Sequence, residues 1–509
     1  MNSTKLERRM LKNTIVGVLA FLANLSQTIL LVPVLLQAWG KETYGIWLSI
    51  SALQSLLQTI DTGHQNYIGA EFCKLYPQKD KHLQFKKNLA SSIWIAFLLG
   101  ITQIVIVVGI IKFNLLGSFL GVELDPIKFS IVSKSLIILV ASWVLSGSVG
   151  GILVRLYYPA GLYSRGQWLG IFMRLSITLS LIFTAILGKG LVFASVFYAI
   201  VINLIAGLIF FDTFRLFQSF YPFWIGGSWS LGINNLSHSI ILTSVGALSQ
   251  LQVNGQVLTI SSILGVAIMP GFTTMRTLSN TFLMATSIIT APLIPEIARY
   301  HVLEKPIKLI GVISTTWWSS GILINFGLLA TLPFIETLYT TWTRGKLPFD
   351  WSLYLLLSLS ICLKNIGSPL ITYLSSINHL RSQGVIATTQ TSIVLGGTVL
   401  FLQAFGLQAA AWSVLAGELM GSLILPIYFV EGQLNSLNAS LPRKQLSLSV
   451  TALIIMALTF ICTGFLHLDP IITVLFGTLS LVIVYFWQWK LLSVEVKERL
   501  YGLLPFKIF

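Results

Sequence analysis

Long apolar stretches recur from one end of this 509-residue chain to the other and leave no room between them for a water-soluble domain. A helix needs about 20 mostly apolar residues to cross the hydrocarbon core of a bilayer. With that window the sequence predicts fourteen spans, near 14–38, 44–70, 88–112, 130–154, 167–187, 190–211, 230–252, 266–293, 307–333, 351–377, 384–405, 407–430, 446–467 and 470–489. Inside lipid only helices and closed barrels satisfy every backbone N–H and C=O, and runs of this length are helical. The expected fold class is therefore an all-α polytopic membrane protein. Composition agrees, with 55% hydrophobic and 10% charged residues, where a soluble domain carries about 25% charged residues.

The net charge of +15 would suggest nucleic acid in a soluble protein. Here Lys and Arg collect in alternate connections, about three on one face for each on the other, which marks cytoplasmic loops. Nucleic acid is not an expected partner. An even number of spans places both termini on that cytoplasmic side. The opening MNSTKLERRMLKN is basic, and the apolar run behind it is too long for a secretory leader, so it is read as a retained first span. Basic residues from Lys74 to Lys87 cluster on the same face and suit anionic lipid headgroups. Cys73, Cys362 and Cys462 stand alone, without the spacing of a disulfide framework or a zinc site. The connections are too short for an extramembrane catalytic domain, and the sequence has neither a phosphate-binding GxxxxGK[ST] loop nor an HExxH. An enzyme is not expected, and neither is a cofactor or metal; H+ or Na+ is the candidate coupling ion.

The chain also repeats itself weakly. Asn24-Leu-Ser-Gln-Thr-Ile-Leu matches Asn235-Leu-Ser-His-Ser-Ile-Ile, Glu71-Phe-Cys-Lys74 matches Glu296-Ile-Ala-Arg299, and Tyr163-Ser-Arg165-Gly-Gln167 matches Leu380-Arg381-Ser-Gln383 in the same order. Two pseudo-symmetric six-helix lobes are expected, 1–215 and 216–435, with two further helices and a tail in 436–509. Internal repeats with a site at their interface are a transporter signature.

Three pieces carry a family resemblance: Leu31-Val-Pro33, then Trp39-Gly40-Lys-Glu-Thr-Tyr44-Gly45-Ile-Trp47, then Ile60-Asp61-Thr-Gly63. Together with Pro292-Leu-Ile-Pro295-Glu-Ile-Ala-Arg299 and Thr341-Trp342-Thr-Arg-Gly345, this opening resembles the O-antigen (Wzx-type) polysaccharide flippases of the multidrug/oligosaccharidyl-lipid/polysaccharide exporter superfamily. The resemblance implies a flippase of the bacterial inner membrane. Such a protein moves an undecaprenyl-diphosphate-linked oligosaccharide by alternating access, for surface polysaccharide biosynthesis and beside other polysaccharide-assembly membrane proteins.

Charges inside spans are costly and need a reason. Arg174, Arg276 and Lys364 fall inside predicted spans and are the candidates for a cationic cavity, since phosphate oxygens pair well with fixed cations. Gln54, Gln58, Asp61 and Gln65 share one helical face, with His64 beside them. Asn24 with Gln27, Asn234 with His238, and Thr273 with Arg276 and Asn280 form further polar faces that suit a water-filled passage; the alternative use of such faces is interhelical hydrogen bonding. Asp61, His64 and Glu418 are the candidates for ion coupling. Three other functions remain open to weigh: a multidrug exporter of the same superfamily, a membrane polymerase or ligase of the same glycan pathway, and a peptidoglycan-precursor flippase. The intramembrane cations speak against the first, and the short outer loops against the second.

Overall fold

The computed structural model describes residues 3–120, 125–290, 297, 300–301, 303–377, 379–466, 468–493 and 497. Pro292–Pro295, Glu296, Arg299, His467 and residues 498–509 lie outside the described set. Among the described residues the chain is helical throughout, without strands.

Among the described residues eleven stretches are long and apolar enough to cross a membrane. The first, Val16–Leu75, is 60 residues long, and at 1.5 Å per residue it measures about 90 Å, enough for two spans. It belongs to α1, Ser3–Leu75, whose two arms meet at Gly40 with φ 70° and ψ −178°. An L-residue resists that φ, so glycine lets the chain turn between the first two predicted spans without a loop. The predicted seventh and eighth spans are helices too, but their polar faces keep them outside the eleven. Counting α1 as two arms and adding these two recovers the fourteen predicted spans.

Cα packing divides the chain into two compact units, 1–271 with 342–347, and 272–341 with 348–509. The first holds α1, α2 (His82–Lys112), α3 (Leu115–Leu120), α4 (Pro126–Trp143) and α5 (Gly150–Arg155). It continues with α6 (Tyr163–Ile186), α7 (Leu191–Leu216), α8 (Trp229–Gln250) and α9 (Gln256–Leu264). A π-helical segment, Val144–Val149, joins α4 to α5, and another, Leu251–Gly255, joins α8 to α9. The expected end of the seventh span near 252 is thereby corrected. Asn254 Nδ2 donates to Gln250 Oε1 at 2.7 Å, and the helix runs on through the wide turn to Leu264.

The glycines of the Trp39–Trp47 segment now have physical reasons. A Cβ on Gly45 would stand 1.9 Å from the Val266 carbonyl oxygen, so only glycine allows that approach. Trp39 meets Trp47 edge-on at 5.8 Å and donates its indole N–H to the Lys189 carbonyl at 2.9 Å. Trp342, at the start of the short segment that packs with this unit, donates to the Ile29 carbonyl at 2.9 Å. A core of Ile68, Phe72, Phe85, Leu89, Ile152, Leu156 and Phe220 closes one end of the unit.

The second unit takes most of α10 (Met269–Thr290), then α11 (Pro306–Thr331), α12 (Ile335–Trp342), α13 (Trp351–Ser376) and α14 (Leu380–Phe405). After these come α15 (Leu407–Glu418), a third π segment (Leu419–Ile424) and α16 (Leu425–Asn435). The unit ends with α17 (Arg443–Gly464) and α18 (Pro470–Leu491). These last two helices are bound in by polar contacts. Asn325 Nδ2 donates to the Tyr485 hydroxyl at 2.7 Å, Trp318 to the Tyr485 carbonyl at 3.2 Å, and Gln445 and Gln488 each donate to the other's backbone carbonyl, at 3.0 and 3.3 Å. On the opposite side of α18, Ile471, Leu475, Leu479 and Phe486 are exposed at helical spacing, as a lipid-facing stripe requires.

Candidate functional site

The most enclosed ionisable groups lie in the first unit. Asp61, in the second arm of α1, has no solvent exposure. Its Oδ2 accepts from Gln103 Nε2 of α2 at 3.3 Å, from the Trp143 indole of α4 at 3.1 Å, and from the Ser148 hydroxyl of the first π segment. Three helical segments thus converge on one oxygen. Two glycines make the convergence possible. Gly147 leaves space for the Trp143 ring, whose atoms would stand 1.9 Å from a Cβ there, and a Cβ on Gly100 of α2 would meet Val144 and Ser148 at 3.0–3.2 Å.

Asp61 Oδ1 has no hydrogen-bond partner among the described residues, and neither has either ring nitrogen of His64. His64 is one turn further along the same face and equally buried, with the Ser92 backbone as the polar group beside it. Buried polar atoms are nearly always satisfied, so an unsatisfied carboxylate oxygen and, three residues on, an unsatisfied imidazole call for an occupant or a titration. No Lys or Arg pairs with Asp61 among the described residues.

The polar face read from the sequence divides in two. Gln54 and Gln65 are each 6% exposed; Gln54 donates to the Leu139 carbonyl at 3.3 Å and Gln65 to the Gly147 carbonyl at 3.0 Å. They are cross-links between α1 and the fourth span and do not line a passage. Gln58 is half-buried, whereas Thr62 and Asn66, four and eight residues on, are exposed. Asn234 and His238 of α8 are exposed as well. The His238 ring stacks on Tyr67 at 6.1 Å, and its Nδ1 lies 2.7 Å from the Asn234 carbonyl oxygen. Gly63 seats α1 on Thr243 of α8, so these residues share one surface of the unit. Arg155 joins them, donating from Nη2 to Asn66 Oδ1 at 2.7 Å and lying over the Tyr158 ring at 5.1 Å. Arg155 lies just beyond the predicted fourth span, 130–154, and is not among the candidates the sequence singles out. Asn24 and Gln27 are half-buried on the first arm of α1.

The three intramembrane cations occupy different settings. Arg174 is exposed on α6. Arg276 is half-buried on α10, flanked on its face by half-buried Thr273 and Asn280, with its guanidinium 5.4 Å from the Phe272 ring centre. Lys364 is not free of an anion: its Nζ stands 3.5 Å from Oε1 of buried Glu418, whose Oε2 accepts from the Ser422 hydroxyl at 2.5 Å. The sequence separated these two into a substrate cation and a coupling carboxylate, and the structure pairs them. Gly367 explains how. A Cβ there would stand 2.0 Å from the Ser422 carbonyl oxygen, so α13 lies directly on the third π segment and presents Lys364, one turn earlier, to Glu418.

No protein-family model matches the chain, and no match among curated proteins was found. Solved structures do resemble it. The lipid II flippase MurJ in its inward closed conformation superposes with a TM-score of 0.63 at 13% identity, over 97% of this chain and 98% of that one. An inward-facing multidrug resistance MATE transporter of the MOP superfamily gives 0.58 at 14% identity, over 84% and 95%. A MOP superfamily transporter from Pyrococcus furiosus, described as having a binding pocket of reverse polarity, gives 0.54 at 14% identity, over 85% and 96%. At these identities the likeness establishes the fold: this chain has the fold of the MOP-superfamily transporters.

Proposed function

We propose that this protein is a flippase for a lipid-linked oligosaccharide on a prenyl diphosphate carrier, working in the bacterial inner membrane with both termini cytoplasmic. The observation that carries the reading is the end-to-end match to a lipid II flippase, 97% of this chain against 84% for the multidrug transporter. The difference is of the size of the segment that holds α17 and α18. Arg276, Arg174 and Lys364 support it, because a diphosphate headgroup needs fixed positive charge where water can reach. The polar surface of exposed Asn66, Asn234 and His238, with half-buried Gln58 and Arg155 beside them, offers hydrogen-bonding groups suited to sugars. The opening and the Trp39–Trp47 turn favour the polysaccharide branch over a peptidoglycan precursor.

Asp61 with His64 is one coupling site in this reading, and the ion is a proton. Two of the groups on Asp61 Oδ2 are N–H donors, which cannot ligate Na+, while Oδ1 has no hydrogen-bond partner and can take a proton.

The decisive experiment uses cells lacking this protein and asks, with an impermeant glycosidase or lectin, on which leaflet prenyl-linked glycan accumulates. Complete repeat units held on the cytoplasmic side, and released by the intact gene, are expected. Normal outward display of unpolymerised glycan would assign a later enzymatic step instead, and unchanged lipid-linked glycan would favour drug export.

A further inference from the structure

We propose that Lys364 and Glu418 form an exchange pair, in which a prenyl-linked diphosphate on the Lys364 ammonium and a proton on the Glu418 carboxyl favour one another. The inference rests on the flippase reading above and gives this pair its part in it.

The geometry is that of a loose pair with one open side. The Nζ to Oε1 distance is 3.5 Å, longer than the about 2.7–2.9 Å of a close charge-assisted hydrogen bond. The Lys364 side chain is 46% exposed and that of Glu418 only 4%. An anion can therefore approach the cation from outside, while the carboxylate behind it is shut in. The backbone holds this arrangement. Gly367 seats α13 against Ser422, and Gly417 and Gly421 seat α15 and its π segment against Val394 and Gln390 of α14.

Among the described residues of the helices packed on Glu418, no second cation stands within two turns of Lys364. The helices packed on Glu418 are α13 and α14. Besides Lys364, the ionisable residues of α13 are Tyr354, Cys362 and Tyr373; α14 has only Arg381, in its first turn. On its own helix Glu418 has Ser422 at 2.5 Å, then Tyr428 and Glu431 more than two turns on.

Suppose an anion draws the ammonium away. Glu418 is then a buried carboxylate held by one hydroxyl, and a buried charge without a counter-charge is strongly unfavourable. A proton from the aqueous phase removes that charge, giving the neutral acid, while the ammonium stays protonated and pairs with a phosphate oxygen. In the other direction, protonating Glu418 removes the anion that competes for Lys364. Linkage requires the two effects to be equal in free energy. Substrate arrival and proton uptake thus become one event at a single pair of residues.

The test is calorimetric titration of the purified full-length protein with farnesyl diphosphate at pH 8, in buffers of different ionisation enthalpy. The phosphates are then ionised, their last pKa being about 6. Wild type should take up a fraction of a proton per diphosphate bound. Glu418→Gln should abolish that uptake and bind about tenfold more tightly, as expected for a coupling of ordinary size. Lys364→Met is made in the Glu418→Gln background, which avoids stranding a buried charge, and should weaken binding at least tenfold. Equal proton uptake in wild type and Glu418→Gln, or undiminished binding in the double variant, overturns the exchange pair and leaves the flippase reading standing. A wild-type protein that binds no diphosphate overturns both.

Discussion

Replacing Asp61 by alanine and by asparagine separates its structural role from its role in transport. Oδ2 accepts from Gln103, Trp143 and Ser148, and all three donors lose their acceptor in Asp61→Ala. Ser148 can turn its hydroxyl back to a carbonyl of its own helix. The Gln103 amide and the Trp143 indole are held by packing and have no such recourse. The buried Gln103 amide costs about 1–3 kcal/mol when stranded, and the part-buried Trp143 indole adds less, so the loss should be at least about 1–3 kcal/mol. In Asp61→Asn the side-chain oxygen still accepts, and the amide nitrogen falls where Oδ1 has no partner, so the loss should stay within about 1 kcal/mol. Equilibrium unfolding in mixed detergent micelles, followed by tryptophan fluorescence, measures both. Transport in proteoliposomes then reads the second role: Asp61→Asn should fold like wild type and lose proton-driven translocation. An alanine variant as stable as wild type would refute the convergence of donors on Oδ2, and an asparagine variant with intact coupling would remove Asp61 from the proton path.

Gly367→Ala should cost at least about 1–3 kcal/mol, the usual penalty of overpacking, because its Cβ meets a backbone oxygen at 2.0 Å. Gly384→Ala in α14, with nothing within 4 Å, should be neutral or stabilising by about 0.4–1 kcal/mol in the same unfolding assay. Tyr485→Phe strands Asn325 Nδ2 and should lower stability by about 1–3 kcal/mol without altering insertion, as read by unfolding and membrane abundance. Arg276→Ala should abolish export of lipid-linked glycan at normal abundance and Arg276→Lys should retain part of it; full export by the alanine variant would exclude Arg276 from headgroup binding.

The run of spans was legible because bilayer thickness leaves few choices for apolar stretches of this length. At α8 and α10 the apolar runs are the most broken by polar residues, yet the same window still marked both as helices. The Asp61 site was half legible. Its carboxylate and His64 stand out as charges inside a span, but Trp143 and Ser148 are five residues apart, and no α-helical face brings such a pair together. A π turn does, and nothing in the local residue pattern announces one. Helical spacing also placed Gln54 and Gln65 on one face correctly without revealing that a neighbouring helix covers it. Lys364 and Glu418 are separated by a whole intervening helix, so only tertiary packing through Gly367 discloses that they neutralise each other.

The π segments have a genetic corollary. Each accommodates one more residue than an α-helix over the same turn. In an ordinary α-turn, losing one residue rotates everything beyond it by about 100° about the helix axis. Removing one residue between Trp143 and Ser148 would instead let the π turn close to ordinary α and leave the helix beyond it in phase, with Arg155 still beside Asn66. Trp143 and Ser148 would then stand four residues apart, on one α-helical face. At these three places an in-frame deletion of one codon should be better tolerated than elsewhere in a span.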